Sequence, residues 1–80
     1  MNAFEKLASN LRAEGVGSKA EELEAAMSSA CTTSSELYGI ISASLTQIHS
    51  DLPTYLRDRL QHSFSESEKL IHVVWPKFKL

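Results

Sequence analysis

Apolar residues recur at helical spacing along almost the whole chain. Phe4, Leu7, Ala8 and Leu11 stand at i, i+3, i+4 and i+7, one stripe of an amphipathic helix over about 3–14. Gly15-Val16-Gly17 ends that helix, because glycine takes the left-handed conformation at a helix C-terminus without steric cost. Ser18 followed by Glu21 is a capping-box pattern that opens a second helix over about 19–30. Its apolar stripe is Ala20, Leu23, Ala26, Met27 and Ala30, and Glu21, Glu22 and Glu24 place negative charge near the positive end of the helix dipole.

The polar break Cys31-Thr32-Thr33-Ser34 leads to a second capping-box pattern, Thr33 with Glu36, and a third helix over about 34–49. Leu37, Ile40, Ile41, Leu45 and Ile48 form its expected core stripe. Ser50-Asp51-Leu52-Pro53 then stops and restarts the chain, since proline suits the first turn of a helix, where its missing N–H is no loss. Leu56, Leu60, Phe64, Ile71 and Val74 hold helical phase up to Pro76. The pattern predicts a continuous or merely bent fourth helix over 53–74, about 33 Å long at 1.5 Å per residue. A third capping-box pattern, Ser65 with Glu68, offers an alternative in which this helix breaks near Ser65. A short apolar tail, 75–80, follows.

Connections this short force sequential helices to run antiparallel. The expected fold is therefore all-α: a single domain over 1–80, built as a compact antiparallel bundle of four helices, or five if the last one breaks. The 80-residue length leaves no room for a second core. Hydrophobic residues at 42% and charged residues at 22% are ordinary globular usage, which argues against disorder throughout. A core this size supports roughly 3–5 kcal/mol of stability. One cysteine cannot close an intrachain disulfide, so oligomerisation is the most available further source of stability.

Charge narrows the function classes. The formal net charge is −2, and no basic stripe of the kind that marks a nucleic-acid binder is visible. Arg57, Arg59 and Lys69 are interleaved with Asp58, Glu66 and Glu68 and read as a solvated face. A helix-turn-helix drawn through the second and third helices would have a recognition helix with no Arg or Lys to reach bases or phosphates. The chain begins without the basic start and apolar run of a signal peptide, and no stretch approaches the ~18 consecutive apolar residues of a membrane span. A cytoplasmic protein with no nucleic-acid or membrane partner is the expectation.

Two surfaces stand out. From Leu37 to Ser50 the third helix has no charged residue, whereas a helix with one face in water normally carries Lys, Glu or Arg there. Its second face is made of small residues, Gly39, Ser42, Ala43 and Thr46, which would let another backbone approach closely. Either this helix is the centre of a monomeric bundle, or one side of it, around Tyr38, Gly39, Ser42 and Ala43, is a protein interface, most simply of a two-fold homodimer. The tail is the other surface. Val73, Val74, Trp75, Phe78 and Leu80 concentrate apolar side chains where chain ends are usually polar. Trp75 and Phe78 either cap an open end of the core or serve, with Leu80, as a docking segment.

Candidate chemistry is sparse. His62 with Glu66, and Glu68 with His72, share helix faces at i, i+4, but a di-iron carboxylate bundle needs Glu-x-x-His on two helices. Cys31 precedes a helix N-terminus, where a thiol pKa can fall, yet no base or oxyanion site accompanies it in sequence. The hydroxyls of Thr32 to Ser35 resemble a phosphate cradle, but no Lys or Arg lies between Lys19 and Arg57. The reading is a non-enzymatic protein-interaction or regulatory module without cofactor that binds another protein, itself included. The alternative is a small-ligand or metal-binding bundle, with catalysis open to it through Cys31 or the histidines of the fourth helix, His62 and His72.

Overall fold

A computed structural model describes residues 2–29 and 33–80. It contains five helices among these residues: α1 (Ala3–Ala13), α2 (Gly17–Met27), α3 (Ser34–Asp51), α4 (Thr54–Arg59) and α5 (Gln61–Ile71). Helix α2 ends at Met27, where Ser28 N–H donates to Glu24 O at 3.0 Å, short of the expected end at 30; Ala30, Cys31 and Thr32 lie outside the described residues, and with them every reading of the thiol.

Helix α1 forms where the pattern placed it, with Phe4, Leu7, Ala8 and Leu11 all buried. Asn2 caps it, its side-chain oxygen accepting the Glu5 N–H at 2.9 Å. At the other end Gly15 has φ +82°, Val16 N–H donates to Leu11 O at 3.0 Å, and Gly15 N–H donates to Arg12 O at 3.1 Å. That pair of bonds is a Schellman closure, and Val16 completes it by packing against the core. Because this turn is so tight, α2 starts at Gly17, ahead of Ser18. Ser18 therefore lies inside the helix, and the N-cap position, Val16, makes no side-chain cap bond. The capping box expected at Ser18 and Glu21 is not used. Thr33 does cap α3, its Oγ1 accepting the Glu36 N–H at 3.2 Å.

The segment after Pro53 departs most from expectation. It is not one helix, and its break is not at Ser65. The break falls at Leu60, whose φ of −101° and ψ of 6° end α4 and begin α5. A straight rod over 53–74 would be about 33 Å long, nearly the 34 Å long axis of the whole molecule. Turning at Leu60 lets Leu56, Leu60, Phe64 and Ile71 all reach the same core. Ser65 is exposed within α5, while Ser63 and Ser67 form a seam against α1. Asn10 Nδ2 donates to Ser63 Oγ at 2.6 Å, and Ser67 Oγ donates to Ala3 O at 3.4 Å. The serines are thus small residues at a close helix crossing and do not terminate the helix.

The topology is antiparallel throughout the main helices. The start of α1 meets the end of α5 through Ala3 and Ser67, and the start of α2 meets the end of α3 through Lys19 and Asp51. Phe4 and Met27 line one small cavity, so α1 and α2 also run in opposite directions. Helix α1 packs on α2 and α5, and α2 packs on α3. One core contains Leu7, Leu11, Leu23, Ile41, Leu45, Ile48 and Ile71, each essentially inaccessible. The radius of gyration, 11.6 Å, is that of a fully packed chain of this length. Exposed ion pairs Arg12–Glu24, Lys19–Asp51 and Arg59–Glu14 join neighbouring segments at the surface. No helix among the described residues is long and apolar enough to cross a membrane.

Candidate interaction face on helix α3

The two surfaces picked out in the sequence are one surface in the fold. After Ile71 the chain turns sharply, with Val74 N–H and Trp75 N–H both donating to Ile71 O at 2.9 and 2.8 Å. Pro76 prevents further helix because it lacks the N–H, and Phe78 N–H closes a second turn onto Trp75 O at 3.1 Å. This double turn lays the tail across the first half of α3. The Trp75 indole N–H donates to Ser35 O at 3.2 Å, and its ring lies 4.0 Å from where a Cβ on Gly39 would stand.

Gly39, Ser42, Trp75 and Phe78 come together, and Ser42, Trp75, Pro76, Lys77 and Phe78 line a groove of about 420 Å³. Ala43 is exposed on the same helix. Phe78 and Leu80 are half-buried and pack against the core, so part of the tail does act as a cap. Leu80 N–H donates to Glu68 Oε2 at 3.3 Å, and His72 Nε2 reaches Phe78 O at 2.5 Å, which requires the proton on that nitrogen. Tyr38 is not brought to this face. Its ring meets Phe4 of α1 edge-on, with centroids 5.8 Å apart.

Two side chains on or near the face escaped the sequence reading. Ile40 was placed in the core stripe, but it is 42% exposed. The stripe Ile41, Leu45 and Ile48 defines the buried direction of α3, and one residue back along a helix is a turn of about 100°. That period was the available signal, and consecutive isoleucines obscured it. Arg57 was assigned to a solvated face, but its guanidinium donates to Leu52 O and Ser50 O, both at 3.0 Å. It thereby satisfies carbonyls at the C-terminal end of α3, where a cation is also favoured by the dipole.

Along α3 the face is poor in available polar groups as well as in charge, and Lys77 of the tail is the cation that lines its groove. Ser42 Oγ donates to Gly39 O at 2.8 Å, and Thr46 Oγ1 donates to Ser42 O at 2.9 Å. Hydroxyls turned back onto their own helix offer water less than their count suggests. Trp75, at 46% exposure, and Ile40 add large apolar surface on either side.

The other candidate chemistry is dispersed. His62 pairs with Glu66 in solvent at 2.9 Å, and His72 lies 3.7 Å from Glu68. His49 packs edge-on against Phe64, centroids 5.0 Å apart, where burial and then the nearby Arg57 charge lower its pKa. Among the described residues no three His, Cys, Asp or Glu side chains are grouped to hold a metal. Thr33 spends its hydroxyl on capping its own helix, as noted above. No protein-family model matches the chain, and no curated protein or solved structure is significantly similar to it.

Proposed function

We propose that this chain is a non-enzymatic, cytoplasmic protein-interaction module that self-associates through the α3–tail face. The observation that carries the reading is the surface of α3 itself. Its exposed residues between Leu37 and Ser50, namely Ile40, Ala43, Thr46, Gln47 and Ser50, include no charge, and they lie beside a half-exposed tryptophan. A helix face without charge is unusual where it is left in water, and Ile40 and Trp75 add exposed apolar surface to it. A standard interface takes about 800 Å² from each partner, roughly a sixth of the 4815 Å² surface of this small molecule. A domain with so small a core gains more from that burial than a larger one does.

Sedimentation velocity over a range of concentrations tests the reading. The wild type is expected to associate by the high micromolar range. Ile40→Glu should weaken association at least about tenfold, the scale of a well-buried interface residue, while leaving helicity and melting temperature nearly unchanged. A wild type that stays monomeric throughout would sink the proposal.

A further inference from the structure

We propose that the tail 75–80 is an exchangeable arm: in the dimer, Trp75 of each copy occupies the seat on the other copy's α3 that it fills on its own helix in the closed monomer. This rests on the self-association reading and specifies its mode. The occupant of the seat is not conjectural in kind, since the tail itself is seen there, with the indole on Ser35 O and over Gly39.

Three features make the arm separable from the core. First, nothing after Ile71 is fully buried; Phe78 and Leu80 are only half so. Segments with little buried surface open at the low end of the local-unfolding range. Second, the polar ties of the arm are few: Trp75 N–H to Ile71 O, the indole to Ser35, His72 to Phe78 O, and Leu80 N–H to Glu68. All the partner groups outside the arm belong to α3, α5 and the residue just past α5, so a second copy supplies the identical set. Third, the hinge is at odds with its own closed conformation. Val73 and Val74 are β-branched and favour extended backbone. The closed form nevertheless holds both in a tight turn, with Val74 N–H on Ile71 O. Val73 is also 79% exposed there, apolar surface that an extended, paired hinge can cover. Exchange of an identical element is a low-cost route to a two-fold dimer, because it reuses contacts already made.

The test is complementation between two defective copies. Trp75→Ala has an intact seat and a crippled arm. Gly39→Gln has an intact arm and a seat filled by its own side chain, on a helix that glutamine favours over glycine. Each alone should lose association by at least about tenfold relative to wild type. An equimolar mixture should form a one-to-one heterodimer, weaker than wild type because only one exchange remains. The chain has a single tryptophan, so in the mixture all tryptophan emission, selected by exciting beyond the tyrosine band, comes from the Gly39→Gln copy. Its emission should shift to the blue on mixing, as the indole leaves water for the partner's seat. If the wild type dimerises but the mixture stays monomeric with unshifted emission, arm exchange is overturned and rigid face-to-face docking stands. If the wild type itself is monomeric, the self-association reading fails, and exchange with it.

Discussion

The three glycines of this chain set up a test in which the same substitution has opposite signs two residues apart. At Gly15 the backbone has φ +82°, and no atom lies within 4 Å of where a Cβ would be built. Gly15→Ala therefore meets no steric obstacle; its whole effect comes from the left-handed backbone, which costs an L-residue roughly 1–2 kcal/mol. The smaller conformational freedom of alanine in the unfolded chain offsets about 0.4–1 kcal/mol of that. The net expectation is a loss of about 1 kcal/mol. At Gly17, the first residue of α2, the site is equally open but φ is not left-handed, so Gly17→Ala should gain up to about 1 kcal/mol. Gly39 lies inside α3, and its Cβ would make ordinary contact with Trp75 at 4.0 Å, so Gly39→Ala should also stabilise, by about 0.5–1 kcal/mol. For a domain of this size each kcal/mol moves Tm by about 4–8 °C. Thermal and urea unfolding of the three variants, followed by far-UV circular dichroism, measures the pattern directly. A Gly15→Ala variant as stable as wild type, or a Gly17→Ala variant that loses stability, would refute the assignment of the turn between α1 and α2.

Other substitutions test the remaining parts of the fold. Ser67 is inaccessible in the α1–α5 seam, so Ser67→Leu should cost about 1–3 kcal/mol by overpacking; Ser67→Ala, losing one long hydrogen bond, should cost about 1 kcal/mol or less in urea titrations. Leu45→Ala removes an inaccessible core side chain and should cost about 2–5 kcal/mol, enough to leave much of the chain unfolded at room temperature by circular dichroism. His49 has its pKa lowered below the ordinary 6.5 by burial, so the unfolded chain binds the extra proton more readily. Its contribution to stability is full above about pH 6.5 and is lost as pH falls through that value toward the depressed folded pKa. His49→Phe, which keeps a ring against Phe64, should flatten the pH dependence of the urea midpoint in that window; an unchanged slope would show that His49 is not its source.

The helical class, the start of α1, the turn at Gly15, the Thr33 cap and most of the buried stripe of each helix could be read from the sequence alone. These depend on local causes: a period of 3.6, a residue without Cβ, a hydroxyl three positions before a free N–H. The charge-free length of α3 and the apolar tail were legible for the same reason, because composition along one helix needs no partner to be seen. Tertiary packing decided the rest. Ser65 and Glu68 carry a sound capping pattern, yet the chain turned at Leu60, where a bend brings four apolar side chains into one core. Ser18 lost its capping role because the Schellman turn admitted Gly17 into the helix first. Ile40 and Ile41 are chemically equivalent, and only the direction of the core separates the exposed one from the buried one. That the small-residue face and the tryptophan tail are a single surface depends on the turn after Ile71 and the path of α3, elements some forty residues apart (Ser35 to Trp75). No local preference encodes such a distance; it follows from how α1, α2, α3 and α5 fill the space around one small core.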